Sequence, residues 1–396
     1  MKKHIINSLL DTDLYKITML RTYFYRFSNC TGRFEFMCRN SDVIFTQSML
    51  VRINNELDHL CSLRFTEEEI NRIANLRFMK NAIGFFEFLR MFKLNRNCIT
   101  TNLTDGKLSV TANGPIFQSS YFETFVLSIV NEVYFNETYP EIDLSEGNRI
   151  LHDIINKIRK YTDDLNEFKF SEFGTRRRFS FHRQEHVILE LTKEFDNSIF
   201  TGTSNMYFAF KLNLTAIGTM AHEYLGLGQA LPNVSLKYSQ QYMLEQWSQE
   251  YNGDLGYALT DNLTSKKFFE DFGLRLAKEY DGLRHDSGCP YKWTDDVINF
   301  YKKNRIDPKT KTLVYSNGLH IEDAIKINEY RKGEVNKNFG IGTSLTNNVG
   351  VKSLNIVMKL VEANGLPVIK ISDDEGKLMT GHMDDTYYEY IKSVIG

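Results

Sequence analysis

Three consecutive arginines, Arg176, Arg177 and Arg178, follow Gly174 in the stretch SEFGTRRRFS at 171–180. Adjacent side chains leave a backbone in different directions, so the three cannot all face one way and at least one is expected to point inward. There a planar guanidinium can bind carboxylate or phosphate through two parallel hydrogen bonds; a solvated basic turn is the competing reading. The stretch RHDSG at 284–288 ends an apolar run with a cation and a carboxylate. Arg284 and Asp286 suit sugar hydroxyls or a magnesium-bound phosphate, because magnesium takes oxygen ligands and keeps waters, and they equally suit an ion pair with each other. His222 follows Gly218-Thr219 and precedes Glu223, an order that can supply a nucleophilic or general-base imidazole oriented by a carboxylate. His182, His186, His285 and His320 offer the same ring, and none has two further ligands at metal-site spacing.

Glycine recurs beside hydroxyl residues in Gly202-Thr203-Ser204, Gly218-Thr219, Ser316-Asn317-Gly318 and Gly340-Ile341-Gly342-Thr343. Such turns let backbone amides approach a ligand closely, and where one opens a helix its free N–H groups favour phosphate. Any single one of them can also be a plain strand end. None carries the Gly-Lys-Ser/Thr of a P-loop or the G-x-G-x-x-G of a dinucleotide fingerprint.

The elements that must hold these residues change character along the chain. In the first part, RFEFMC at 33–38 alternates, CITTNLTDGKLSVTANG at 98–114 reads as strand, turn, strand about Asp105-Gly106, and Thr66 with Glu69 forms a capping box. An antiparallel sheet with flanking helices is expected over residues 1–145. From residue 146 a periodic helix (Ile150, Leu151, Ile154, Ile155, Ile158) leads into short apolar runs that end in Gly, Ser, Thr, Asn or Asp. These are SIFTGTSN, LTAIGTMAHE, YALTDN, LRHDSG, TLVYSNG, FGIGTS and LPVIKISDD, most of them separated by amphipathic stretches of helix length. Strand alternating with helix predicts a parallel sheet, and this many units predict a (β/α) barrel over 146–396 with chemistry at the C-terminal ends of its strands.

Composition narrows the classes of partner. Lys+Arg (48) and Asp+Glu (50) nearly cancel over 396 residues, which excludes a broad basic field for nucleic acid or anionic membrane. No run approaches a membrane span, and the stretch before Asp11 is too short for a signal segment. The five cysteines, Cys30, Cys38, Cys61, Cys98 and Cys289, are scattered without Cys-x-x-Cys spacing, so a reducing, cytoplasmic location is expected.

Taken together, LLDTDLYKITM (9–19), SEFGTRRRFS, GTSN (202–205), GTMAHEY (218–224), RHDSG, SNGL (316–319) and GIGTSLT (340–346) resemble the nicotinate phosphoribosyltransferase family. The match runs in order over nearly the whole chain and is closed by LNIVMKLVEANGLPVIKISD. The resemblance implies an N-terminal open-faced α+β sandwich packed on an irregular α/β barrel. It implies transfer of the phosphoribosyl group of phosphoribosyl pyrophosphate to nicotinate, with magnesium as cofactor and ATP as co-substrate, in a homodimer with a shared site.

Residue by residue, the family pattern implies that Tyr15 stacks on the pyridine ring and that Phe173 covers the opposite face. It implies that Arg176 and Arg284 bind the substrate carboxylate or phosphoribosyl group, that Thr219 touches nicotinate, and that Thr343, with Gly318 and Gly342, meets phosphoribosyl pyrophosphate. Asp286 would hold ribose or magnesium, and His222 would be phosphorylated by ATP. Two positions depart from the pattern: His320 where an acidic residue is usual, and Cys289 in place of aspartate after RHDSG.

A nicotinamide-preferring transferase is the nearest rival. Ser204-Asn205 argues against it, since an aspartate there would accept the amide N–H₂ of nicotinamide and repel a carboxylate. A catalytically silent nucleotide-binding protein is opposed by the presence of Tyr15, His222, Arg284 and Thr343.

Overall fold

The computed structural model describes residues 4–164, 167–374 and 385–395. Its first sheet is antiparallel. β1 (Thr31–Cys38) is followed by β2 (Ile99–Thr104) and β3 (Lys107–Pro115), a hairpin turning on Asp105 and Gly106 at φ 51° and 74°, the left-handed backbone that such a turn requires. The expected capping box is present, Thr66 accepting from the Glu69 amide and Glu69 from the Thr66 amide, and it opens the helix Glu67–Ala74.

The second sheet is parallel and six-stranded. It contains β4 (Phe170–Glu172), β5 (Phe200–Thr203), β6 (Tyr257–Leu259), β7 (Gly282–His285), β8 (Thr312–Tyr315) and β9 (Asn336–Ile341), in the order β5-β4-β9-β8-β7-β6. Five of the apolar runs therefore become neighbouring strands, and β4, too short to show a period, joins them between β5 and β9.

Two runs do not enter this sheet as strands. In LTAIGTMAHE the only ladder contact is a parallel bridge from Ala216 to Thr203, and the Thr219 hydroxyl donates to the Tyr257 carbonyl at 3.0 Å. This irregular segment lies between β5 and β6, the two sheet edges, which do not pair directly. In LPVIKISDD, the short β11 (Leu366–Pro367) pairs with β10 (Ile356–Ala363), and β10 pairs antiparallel with β1. The first sheet thus has the order β11-β10-β1-β3-β2 and draws strands from both sides of residue 145.

The helix Phe122–Thr138 is buried from Phe122 through Val133 on every face. It packs against both β10 and the turn Thr175–Arg177, so it sits where the two sheets meet. The core can enclose it because its buried polar side chains, Glu123, Asn131 and Glu132, each find a partner in Arg176, the Arg178 carbonyl and the Phe181 amide. The helix Ser145–Asp163, by contrast, buries one stripe: Leu151, Ile154, Ile155 and Ile158. Among the described residues no helix is long and apolar enough to cross a membrane.

The N-terminal segment places the first motif. Leu14 donates its amide to the Ser204 carbonyl at 2.7 Å, Met206 donates to Thr12 at 2.9 Å, and Asp13 bridges Asn205. The helix Leu14–Arg26 therefore starts at the C-terminal end of β5 and carries Tyr15 there.

Candidate active site

A cavity of about 890 Å³ opens at the C-terminal ends of the parallel strands. Tyr15, Phe173, Arg176, Ser204 and Thr219 line it, as do Arg284, Asp286, Gly318, Gly342 and Thr343. It continues between the strands toward their N-terminal ends, where Tyr257, Asp281 and Thr312 also line it.

Glycine sets the shape of two walls. At Gly340 an added Cβ would lie 2.4 Å from the Phe173 ring, so the ring rests directly on β9. At Gly202, φ 140° and a carbonyl of Thr215 that would lie 2.1 Å from an added Cβ let the irregular segment dock on β5.

The arginine run divides as its spacing requires. Arg176 and Arg177 face the cavity, whereas Arg178 is fully buried and bonds both carboxylate oxygens of Asp11, at 2.6 and 2.7 Å. Arg176, its side chain 46% exposed, lines the cavity and reaches Glu123 at 3.4 Å and Asp13 at 3.9 Å. Arg284 donates to the Met220 carbonyl at 3.0 Å, and its Nε finds no hydrogen-bond partner among the described residues. Burial opposes the charge on Asp286, but Arg284 and His222 outweigh it and hold the carboxyl below the ordinary range. Asp286 accepts from the Ser316 hydroxyl at 2.8 Å.

His222 lies beside this cavity, in an adjoining chamber of about 100 Å³ that shares Arg176 and Arg177 with it. Its Nε2 is 2.7 Å from Asp261 Oδ1 and 3.8 Å from Asp286 Oδ2. Asp261 in turn meets Lys370 Nζ at 2.9 Å and the Ser287 hydroxyl at 2.7 Å. Burial and then Lys370 lower the His222 pKa, against the pull of Asp261 and Asp286. Asp261 stays ionised despite burial, its charge held by His222 and Lys370. A neutral ring with Nε2–H donated to Asp261 leaves Nδ1 as the nitrogen with a free lone pair.

Glu223 does not orient the imidazole. His222 and Glu223 open the helix His222–Leu227, where successive side chains diverge by about 100°. Glu223 points instead to Lys16, at 2.8 Å, and accepts from Ser120. Lys16 also meets Glu123 at 2.7 Å. Asn205 lies behind the cavity rather than on its wall: fully buried, it caps the helix Met206–Lys211 and donates to Asp11 at 2.8 Å.

Three residues of the site were not singled out from sequence. Asp13 lines the cavity and accepts from the Ser204 hydroxyl at 2.7 Å; burial pushes its carboxyl up, against Arg176 and that hydroxyl. Asp261 was legible as a polar strand tail in YALTDN, the class of position from which barrel chemistry is drawn. Lys370 had no such signal, since it sits inside an apolar run.

Of the departures from the family pattern, His320 lines the large cavity, and Cys289 is exposed at the start of the helix Pro290–Lys303. All five cysteines are free.

The chain is similar to known proteins over nearly its whole length. Residues 168–394 match the model of the nicotinate phosphoribosyltransferase (NAPRTase) family, and residues 10–131 match its N-terminal domain. Nicotinate phosphoribosyltransferase of Acinetobacter baylyi is 47% identical over 98% of this chain and 96% of its own. That of Neisseria gonorrhoeae is 44% identical over 99% and 98%. Among solved structures, nicotinate phosphoribosyltransferase from Vibrio cholerae superposes with a TM-score of 0.93 at 35% identity, covering 100% of this chain and 94% of that one. A cavity of ring faces, arginines and glycine turns, with an aspartate-held histidine beside it and these likenesses along both parts of the sequence, leads to one conclusion: the chain belongs to the nicotinate phosphoribosyltransferase family.

Proposed function

We propose that this chain forms nicotinate mononucleotide and pyrophosphate from nicotinate and phosphoribosyl pyrophosphate. The observation that carries the reading is the convergence of Tyr15, Phe173, Arg284, Asp286 and Thr343 on one cavity. In this reading a flat anionic ring lies between Tyr15 and Phe173, both of which line the cavity, with Arg176 as its carboxylate partner. The glycine turns at Gly318 and Gly342 present backbone amides to the phosphoribosyl group.

In the reaction the pyridine nitrogen bonds to the anomeric carbon while the carbon–oxygen bond to pyrophosphate breaks and pyrophosphate leaves with the electron pair. Arginines fixed before the reaction stabilise the charge that shifts to the leaving group. Magnesium, when bound, neutralises pyrophosphate oxygens. Asp286 is the carboxylate suited to hold it, since Asp261 is already taken by His222, Lys370 and Ser287.

ATP enters through His222. Its Nδ1 bonds to the γ-phosphorus as the bond to the bridging oxygen breaks and ADP leaves, and Asp261 balances the positive ring that results. Water later attacks phosphorus, releasing phosphate and restoring the imidazole. The phosphoryl charge beside Arg176 and Arg177 couples ATP hydrolysis to product formation.

The sheet closes in this reading as an irregular barrel, the segment 215–219 bridging β5 and β6. The chain divides into an α+β part at 1–145, to which β10 and β11 return, and a transferase part at 146–396. It works in the cytoplasm as a homodimer.

Asp13 gives the nicotinamide reading its one physical support, a buried carboxylate within the cavity. Its charge is already engaged by Ser204 and faces Arg176, which favours nicotinate. The test is an assay with magnesium, phosphoribosyl pyrophosphate and either base, with and without ATP, for wild type and His222→Asn. Nicotinate-specific product that rises with ATP in wild type alone is expected. Turnover of nicotinamide in preference sinks the substrate, and no product from either base sinks the activity.

A further inference from the structure

The chamber beside His222 contains a donor that the resting protein does not use. Asn262 lines it together with His222, Lys359 and Lys370. Its side chain is 1% exposed, and its Nδ2 has no hydrogen-bond partner among the described residues. Buried amide donors are almost always satisfied, so an unmatched one, tucked behind the surface of a residue that lines the chamber, marks a place where a small rotation of the side chain would meet an arriving acceptor.

The backbone holds that amide in place. Ile371 donates to the Asn262 carbonyl and Thr264 donates to the Ile371 carbonyl, each at 2.9 Å, around a parallel bridge between Leu263 and Ile371. This ladder sets Asn262 beside Lys370. Thr264, a β-branched residue at φ 69°, occupies a backbone conformation that persists only where the surroundings impose it. Ser265, the next residue, is tied to Asp373 through both its amide and its hydroxyl.

The chamber's size narrows the acceptor. About 100 Å³ admits a group the size of a few waters, which is room for one phosphoryl group. Its wall carries four cations, Arg176, Arg177, Lys359 and Lys370, against two carboxylates, Glu123 and Glu223, both of which are paired with Lys16, and this balance favours an anion.

We propose that Asn262 is a positioning residue for the phosphoryl group carried by His222, its amide donating to a phosphoryl oxygen that exists only in the phosphorylated enzyme. The inference rests on the phosphohistidine reading above. Because the bond forms only in that state, the Asn262 side-chain amide lengthens the life of the phosphoenzyme while making no hydrogen bond among the described residues of the resting protein.

The experiment uses the full-length protein, labelled from ATP in the γ-phosphoryl group, and follows protein-bound label after ATP is removed. Asn262→Leu, which keeps the volume and removes the donor, is expected to lose label roughly tenfold faster than wild type, the scale of a hydrogen bond to a charged group. Its thermal midpoint is expected to equal or exceed that of wild type, an outcome that a merely structural asparagine does not give. Asn262→Ala serves where leucine prevents folding, and Asn262→Ser, which restores a short donor, is expected to recover part of the lifetime. Labelled wild type with variants whose label decays within twofold of it overturns the role of Asn262 alone. Wild type that forms nicotinate mononucleotide yet never carries label overturns the inference together with the phosphohistidine beneath it.

Discussion

Arg178 and Asp11 meet behind the cavity in a paired, fully buried bond at 2.6 and 2.7 Å, while Arg284 on the cavity wall donates, among the described residues, only to the Met220 carbonyl, at 3.0 Å, and faces no carboxylate fork of its own. The contrast extends to their neighbours. Lys16 sits between Glu123 and Glu223, and Asn205 is bonded to Asp11. Arg177, facing the cavity, is pushed down to about 10 by burial and by the nearby Arg176 and Arg39. A guanidinium paired with a buried carboxylate is held in place by it, whereas one bonded to a single carbonyl keeps donors for an arriving anion. The backing layer therefore fixes geometry with its own partners, and the facing layer waits for those a ligand brings.

The strongest way to break this comparison is to exchange the layers' fates. Arg178→Met, which strands Asp11, is expected to lower unfolding free energy by about 3–5 kcal/mol. Arg284→Met is expected to cost less than half of that while reducing kcat/KM by roughly a hundredfold or more, as loss of a charged contact to the transferred group does. Urea unfolding and steady-state rates on both variants decide the matter; equal losses of stability would dissolve the distinction.

Gly340→Ala probes the wall between the layers. Its methyl group would meet the Phe173 ring at 2.4 Å, so the ring must shift, at about 1–3 kcal/mol of stability. The KM for nicotinate should rise several-fold with a smaller change in kcat. An unchanged KM would separate Phe173 from the ring-binding role.

The backing layer should also carry a pH signature. Burial raises the Glu132 carboxyl to about 7. A raised acid stabilises the fold fully below its unfolded value near 4.5 and loses that contribution as pH climbs to about 7. Wild type should therefore lose about 1–3 kcal/mol from this group between pH 4.5 and 7. Glu132→Gln, which mimics the protonated acid, should flatten the loss in urea titrations at pH 5 and pH 8. A wild type whose stability rises across that window, with Glu132→Gln following the same slope, would contradict the assignment.

The smallest effect is expected at the surface. Cys289 occupies the N-cap of the helix Pro290–Lys303 without a side-chain cap. Cys289→Asp should stabilise by about 0.5–1 kcal/mol through capping, read as a small rise in thermal midpoint, with little change in KM.

Much of the cavity was legible because its chemistry sits at the polar ends of apolar runs. Arg284, Asp286, Gly318 and Thr343 were found that way. The division of the arginines followed from backbone geometry alone. What sequence could not reveal was partnership over distance. Glu223 stands next to His222 in the chain and seemed its natural orienter, but helical geometry turns it away and brings Asp261 from another strand end. Asn205 fell in a motif yet faces inward, because the GTSN turn also has to cap a helix. The apolar run of β10 carries a strand signal without any mark of which sheet it joins, and its partner β1 lies hundreds of positions earlier.

That last pairing has a consequence for the order of events during synthesis. β1 is flanked by β3 on one side and by β10 on the other. Translation at roughly 5–20 residues per second leaves tens of seconds between the end of β3 at Pro115 and the arrival of β10 at Ile356. During that interval the nascent sheet has an open edge at β1, ready to pair with any strand it meets. The first sheet starts early in the chain but closes only after β9 has been made, so a nascent chain halted at that point carries an unpaired edge at β1.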